Sequence, residues 1–411
     1  MGRNALETIL FRGITTPTAL AFVVAQGRLL APEGRGEFVV AVLGATIVSR
    51  LLGQLGVAVT SKRRELGLPL PELTRRALGI GLALAALGAP AMAAISVASG
   101  QIGTRVAVLG ALGIVPNVVA QTVSGVLLGQ ARIRLWNVLQ LLPPVLSLAA
   151  LLLLAGAFDT GVTGALAGWA GSNAVTAAVA LAASRSVWWP PVVSPLLDSA
   201  SRVLGRLALV MGAVQIVNLV SYRAELFVLG SERGNRAVGV YSIALQSVES
   251  MWLVPAAIAT AVTAPAVAAK DDPTAAALVR RSAVRALGLS VPVAAVVGVA
   301  APWLIPAVFG DDFRGAVRPL EYLLPGVVAY APVTVLVVYL SVRRARPGAS
   351  LAVSLLAMLV TVAAAAALVP SHGARGAAVA SSVGYAAGAL LAWGLFERLA
   401  RSAKQTRGAS G

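Results

Sequence analysis

Apolar runs of about twenty residues recur along the whole chain, and that recurrence constrains the fold more than any motif does. A run of this length crosses the hydrocarbon of a bilayer as one α-helix, the form that satisfies every backbone N–H and C=O internally. Mean hydropathy is +0.85, and only 12% of the 411 residues are charged, about half the share in a water-soluble domain. The pattern predicts an all-α integral membrane protein. The longest connection, residues 185–206, is too short to fold as a soluble domain.

Twelve spans are expected, near residues 14–30, 38–60, 77–98, 106–128, 136–157, 162–183, 207–230, 238–268, 284–309, 320–342, 350–369 and 376–396. The first run follows Arg3 and Arg12, as a signal peptide would, but it continues past signal length without a small-x-small cleavage site. It therefore reads as a retained helix. With twelve spans, 23 of the 33 Lys and Arg residues fall on one side of the membrane and 8 on the other. The positive-inside rule then places both termini in the cytoplasm of a bacterial cell, with the protein in its cytoplasmic membrane. Much of the net charge of +17 is accordingly topogenic, and a nucleic-acid partner is not expected.

The two halves resemble each other. Gly36-x-Phe38-x-x-Ala41 opens the second span and Gly239-x-Tyr241-x-x-Ala244 the eighth. Arg132-x-Arg134 and Arg344-x-Arg346 lie 212 positions apart, as do Gly164-Ala165 and Gly376-Ala377. Six crossings return the chain to its starting side, so a duplicated unit predicts two six-helix lobes related by a pseudo-two-fold along the membrane normal. The expected division is an N-terminal lobe over residues 1–185, a cytoplasmic linker over 186–206 and a C-terminal lobe with a short tail over 207–411.

Polar residues recur at helical spacing in four spans: Thr46, Arg50 and Gln54; Asn117, Gln121 and Ser124; Gln215, Asn218, Tyr222 and Glu225; Ser242, Gln246 and Glu249. Such stripes either hold helices together or line a water-filled cavity between lobes. Arg50 lies about twelve residues from either end of its span, too deep to reach the interface easily, and is expected to face a cavity. Arg223 and Glu225 suit either a cavity or an interfacial anchor. Glu249 is deep enough to carry a coupling proton or to pair with a neighbour.

Catalytic signals are missing. Cysteine is absent and His372 is the only histidine; no Gly-rich loop is followed by Lys, so no ATP-binding loop is expected. Neither a cofactor nor a metal is expected, and the chain does not read as an enzyme.

Several stretches resemble one family. Gly27-Arg28-Leu29-x-Ala31-Pro32-Glu33-Gly34-x-Gly36-Glu37-Phe38 is similar to the opening of the Wzx-type polysaccharide-biosynthesis flippases, members of the multidrug/oligosaccharidyl-lipid/polysaccharide (MOP) exporter superfamily. Tyr222-Arg223-x-Glu225, Gly239-Val240-Tyr241-Ser242, Glu249-x-x-Trp252-x-x-Pro255, Phe309-Gly310-Asp311-Asp312 and Gly373-Ala374-Arg375-Gly376 resemble its later segments in order. Two departures stand out: Ala31 where the family has Gly before the proline, and Glu225 where it has Asp. The resemblance implies a transporter that moves undecaprenyl-diphosphate-linked oligosaccharide from the cytoplasmic to the outer leaflet by alternating access. Cavity arginines, Arg50 with Arg223 and Arg28, would meet the diphosphate, and Gln54, Gln121 and Asn218 would complete the binding set. Glu249 and Glu225 would serve coupling. Membrane lipids, glycosyltransferases and a polysaccharide polymerase are the expected partners. Two other readings stay open: an ion-coupled drug exporter of the same fold, and a non-transporting membrane scaffold for glycan synthesis.

Overall fold

The computed structural model describes residues 3–190 and 195–408. Residues 191–194 of the Pro-rich linker lie outside the described residues, as do the side chains of Arg3, Arg12, Lys404 and Arg407 that entered the charge count. Among the described residues there is no strand. In chain order the helices are α1 (Arg3–Leu52), α2 (Leu55–Leu66), α3 (Leu70–Ala98), α4 (Thr104–Leu112), α5 (Ile114–Gly129), α6 (Ile133–Leu151) and α7 (Gly161–Ala183). They continue as α8 (Ser199–Ser221), α9 (Ala224–Glu249), α10 (Leu253–Ala268), α11 (Asp272–Phe309), α12 (Val317–Val337) and α13 (Pro347–Gly408).

Among the described residues ten helical stretches are long and apolar enough to cross a membrane, and sharp reversals inside two of them, at Ala31 and Gly373, make room for twelve crossings. In α1 the backbone turns at Ala31 (φ 52°, ψ 175°). Phe22 and Phe38 then stack edge to face at 5.9 Å, whereas sixteen residues of straight helix would hold them about 24 Å apart. Arg35 secures this hairpin by donating to the Val23 carbonyl (3.2 Å) and to Gln26 Oε1 (2.8 Å). In α13 the turn is Gly373 (φ 55°), which brings Gly384 back onto the Thr361 side chain. In α9 it is Gly234 (φ 76°), so the first part of α9 completes the seventh crossing begun by α8 and the rest opens the eighth. The loops expected near residues 31–37, 231–237 and 370–375 are these three reversals.

Several helices outrun their apolar runs. The ninth span, expected from residue 284, begins at Asp272, and the twelfth continues to Gly408. Hydropathy marks only the hydrocarbon-depth part of a helix; the extra turns of α11 carry Arg280 and Arg281.

The chain divides into two compact units, Met1–Ile216 and Val217–Gly411, with the division inside α8. In the first, Leu55, Val59, Leu73, Val126 and Leu204 form part of a buried core. There α2 and α5 approach through Gly56 and Gly125, where a β-carbon would strike the opposing backbone. In the second unit, α12 and α13 meet at Gly326, which abuts Ser382. Large apolar side chains also point outward: Leu87 (71% exposed), Trp303 (71%) and Leu390 (75%). A water-soluble protein rarely shows so much apolar surface; a bilayer covers it here. The protein is a multi-pass membrane protein with the predicted all-α architecture.

Candidate functional site

In the first unit the polar residues gather at a break in the second crossing. Helix α1 ends at Leu52, Gly53 and Gln54 form a turn, and α2 starts at Leu55. Gln54 is the residue before α2 and makes no side-chain cap. Gln121 of α5 presses its side-chain carbonyl against Gly53, where any β-carbon would collide with it. The Gln121 amide donates to Asn117, whose amide donates to Asn173 Oδ1 (2.9 Å), and Asn173 donates to the Trp169 carbonyl (2.8 Å). Gln121 and Asn117 therefore act first as a polar ladder joining α5 to α7. On the other side Gly212 of α8 lies against the Leu51 carbonyl.

Arg50 sits one residue before this contact. It is exposed and makes no ion pair with a carboxylate among the described residues. Arg50, Gln54 and Gln121 are thus brought together. Arg28 is not: it is exposed near the reversal at Ala31, and the nineteen residues from Ala31 to Arg50 amount to about 28 Å of helix.

The second unit holds a different centre. The seventh crossing is interrupted: α8 stops at Ser221, Tyr222 and Arg223 form a turn, and α9 starts at Ala224. Gln215 and Asn218 therefore belong to one helix and Glu225 to the next, and the single polar face expected from spacing does not form. The turn frees the Arg223 side chain to reach the eighth crossing, where both guanidinium nitrogens bind Glu249, NH2 to Oε2 at 2.8 Å and NH1 to Oε1. Their side chains are 23% and 15% exposed. Asn218 is half-buried, and its carbonyl accepts from the Ser221 hydroxyl (2.7 Å).

Beside this pair lies a carboxyl without a cationic hydrogen-bond partner. Glu225 is 0% exposed. Its Oε1 accepts from Tyr241 O–H (3.2 Å), which also meets the Ser381 hydroxyl (3.2 Å). Its Oε2 has no hydrogen-bond partner among the described residues. Four aromatic rings next to these residues in the second unit, Tyr222, Trp252, Tyr330 and Tyr385, pack on one another with every pairwise ring separation between 5.2 and 6.2 Å. Tyr222 O–H donates to Tyr330 (3.2 Å), while Trp252 Nε1 and Tyr385 O–H are buried and unpartnered among the described residues. Sequence spacing missed Trp252, Tyr330, Tyr385, Tyr241 and Ser381 as one cluster. One signal was available: all six tyrosines lie after residue 216. Among the described residues no three His, Cys, Asp or Glu side chains group as metal ligands.

At the junction of the first unit, Arg76 of α3 binds Asp198 and Glu72 (2.7 Å to Oε1), and Arg75 reaches the Trp188 carbonyl (3.4 Å). Hydrogen bonding from Ser201, with the Arg76 guanidinium second, holds the Asp198 carboxyl down at about 2.

No curated protein matches the sequence. Several solved structures share the fold over nearly its whole length. An inward-facing multidrug resistance MATE family transporter of the MOP superfamily superposes with TM-score 0.76 at 18% identity, covering 97% of this chain and 99% of its own. The lipid II flippase MurJ, in an inward closed conformation, gives 0.78 at 10% identity over 93% and 86%. A MOP superfamily transporter from Pyrococcus furiosus gives 0.61 at 18% over 98% and 95%. The chain therefore shares the fold of these transporters. The sequence itself matches the polysaccharide biosynthesis protein family across residues 28–318, well over half its length. The chain belongs to that polysaccharide biosynthesis family.

Proposed function

We propose that the protein flips undecaprenyl-diphosphate-linked oligosaccharide from the cytoplasmic to the outer leaflet of a bacterial cytoplasmic membrane, with both of its termini in the cytoplasm. The observation that carries this reading is Arg50: a mid-span arginine, exposed and without a carboxylate partner among the described residues, beside a helix break in a chain of this family. A diphosphate that leaves water for a membrane-depth cavity needs a replacement for its hydration. A guanidinium can hold two phosphate oxygens at once. Gln54 and Gln121 stand next to it with amide donors for the same head group or for sugar hydroxyls. An exporter of cationic drugs is the poorer fit, since the same arginine would repel its cargo.

Within this reading Arg223 has a different role from Arg50. Glu249 already occupies both of its terminal nitrogens, so the diphosphate is left to Arg50. Glu225 is the better coupling candidate of the two acids, because one of its oxygens has no hydrogen-bond partner and no guanidinium touches it. Glycosyltransferases that assemble the lipid-linked chain and a polymerase that consumes it are the natural partners of such an activity.

The test is Arg50→Ala in cells that make the glycan. Lipid-linked oligosaccharide should accumulate on the cytoplasmic leaflet while the variant reaches wild-type abundance, and Arg50→Lys should restore part of the flux. Full flipping by Arg50→Ala at normal abundance would remove the residue from the mechanism and the reading with it.

A further inference from the structure

We infer that a second, separate site on the first unit binds the phosphate head group of an anionic membrane phospholipid. A cavity of about 680 Å³ is lined by Glu7, Arg132, Ile133, Arg134, Leu135 and Val138, with Ala131 and Ala183 completing the wall. It lies where α5 turns into α6. The turn is tight: Ala131 takes φ 55°, and the amides of Ala131 and Arg132 bond the Leu128 and Leu127 carbonyls (3.0 Å each). Both arginines therefore project from a fixed backbone. Both are exposed. The Arg132 side chain has one partner, the Ser186 hydroxyl (3.1 Å), and Arg134 makes no side-chain hydrogen bond or ion pair with the described residues. The one carboxylate in the wall, Glu7, is engaged with another group.

The internal repeat makes the pair informative. In the second unit the counterpart of Arg132 is met from within: Asp272, at the start of α11, binds Arg344 and takes the neighbouring Arg343 Nε at 2.7 Å, while Arg346, the counterpart of Arg134, has no ion pair among the described residues. In the first unit the carboxylate at the start of the corresponding helix, Glu72 of α3, turns instead to Arg76 on its own helix. Arg132 and Arg134 have no ion-pair partner among the described residues and stand next to Ile133, Leu135 and Val138. Two guanidinium groups over an apolar wall fit an anionic head group with acyl chains running down beside it. A soluble anion would use the cations and gain nothing from the wall. The site lies on the cation-rich side of the membrane, the leaflet facing the cytoplasm in the orientation expected from charge, and it does not depend on what the protein transports.

The experiment uses the full-length protein in detergent, titrated with phosphatidylglycerol, phosphatidylcholine or inorganic phosphate, with bound lipid read by native mass spectrometry. Wild type should retain phosphatidylglycerol in preference to phosphatidylcholine. Arg132→Gln with Arg134→Gln should bind it about thirtyfold more weakly, from two surface cations acting on one charge. Arg63→Gln with Arg64→Gln, which removes equal charge from the exposed C-terminal end of helix α2, should change it less than twofold. Equal losses in the two variants would mean diffuse attraction rather than a site. Displacement of phosphatidylglycerol by millimolar inorganic phosphate would assign the cavity to a soluble anion. Should the double variant fail to fold, Arg134→Gln alone breaks no contact among the described residues and should weaken binding about fivefold; unchanged retention would overturn the site.

Discussion

Replacing Glu249 by Gln should cost the protein more stability than any other single loss of charge in the second unit. The carboxylate holds both terminal nitrogens of Arg223, one of them at 2.8 Å, and the two side chains are 23% and 15% exposed. Removing one partner of a buried pair typically costs about 3–5 kcal/mol, because the surviving charge remains where water cannot reach it. Residual exposure argues for the lower end, about 3 kcal/mol. For a cooperative unit the size of Val217–Gly411, that is a fall in Tm of about 6–12 °C. Arg223→Gln should cost a similar amount by stranding Glu249. The double variant should lose clearly less than the sum, since the second substitution removes the charge the first left unpaired. Thermal unfolding of the four proteins in one detergent gives the coupling energy directly, and about 2 kcal/mol is expected. Additivity within about 0.5 kcal/mol would refute the pairing. The matching cycle between Arg50 and Glu249 should be additive, because Glu249 already has its partner; coupling there would mean that Arg50 serves as a structural lock.

Four further outcomes follow. Ala31→Gly should raise stability by about 1 kcal/mol, because φ 52° with ψ 175° is a region kept almost wholly by glycine; an unchanged or lower Tm would count against that turn. Gly56→Val should sharply reduce the yield of monodisperse protein, since α2 and α5 touch backbone to backbone there, while Gly103→Val, in open space, should not. The Asp198 carboxyl is held down at about 2, against about 3.9 when unfolded. Its contribution to anchoring the linker is thus complete above about pH 4 and lost as pH falls through about 2; hydrogen exchange around Ser201 should show that acid release in wild type and not in Asp198→Asn. Finally, Ser231→Cys should label with an impermeant thiol reagent in intact cells and Ser402→Cys should not; the reverse would invert the orientation.

Much of the fold was legible because hydrocarbon imposes a length. Apolar runs marked the crossings, and the reversals at Gly234 and Gly373 fell where polar, glycine-bearing stretches interrupted them. The break at Tyr222 and Arg223 was not legible. No glycine or proline marks it, and Gln215, Asn218, Tyr222 and Glu225 keep helical spacing straight through it. What holds the turn is tertiary: Glu249 on the next crossing takes the guanidinium, and three rings from three other segments enclose Tyr222. Local propensity does not encode a partner 26 residues away. Arg50 was legible for the opposite reason, since its depth follows from its distance to both ends of one apolar run.

The two units hold several of their ionisable residues differently. In the first unit Arg50, Arg132 and Arg134 have no carboxylate partner among the described residues, and there is no tyrosine in its sequence. The second ties Arg223 to Glu249 and Arg343 and Arg344 to Asp272, and buries Glu225 behind a hydroxyl pair. Unneutralised guanidinium groups are useful to a protein that must bind anions, and costly where nothing binds. A buried carboxyl short of hydrogen bonds is useful where a proton or cation is to be taken up, and costly otherwise. Of the residues weighed for transport, the arginine without a carboxylate partner among the described residues, Arg50, lies in the first unit, and the buried carboxyl short of a hydrogen bond, Glu225, lies in the second. That separation supports placing recognition of the lipid diphosphate in the first unit and coupling in the second. It also sets a criterion: Arg50→Ala should abolish transport while leaving any cation- or pH-dependent change in the second unit intact, and Glu225→Gln should do the converse. Loss of both responses in either variant would mean that one centre serves both roles.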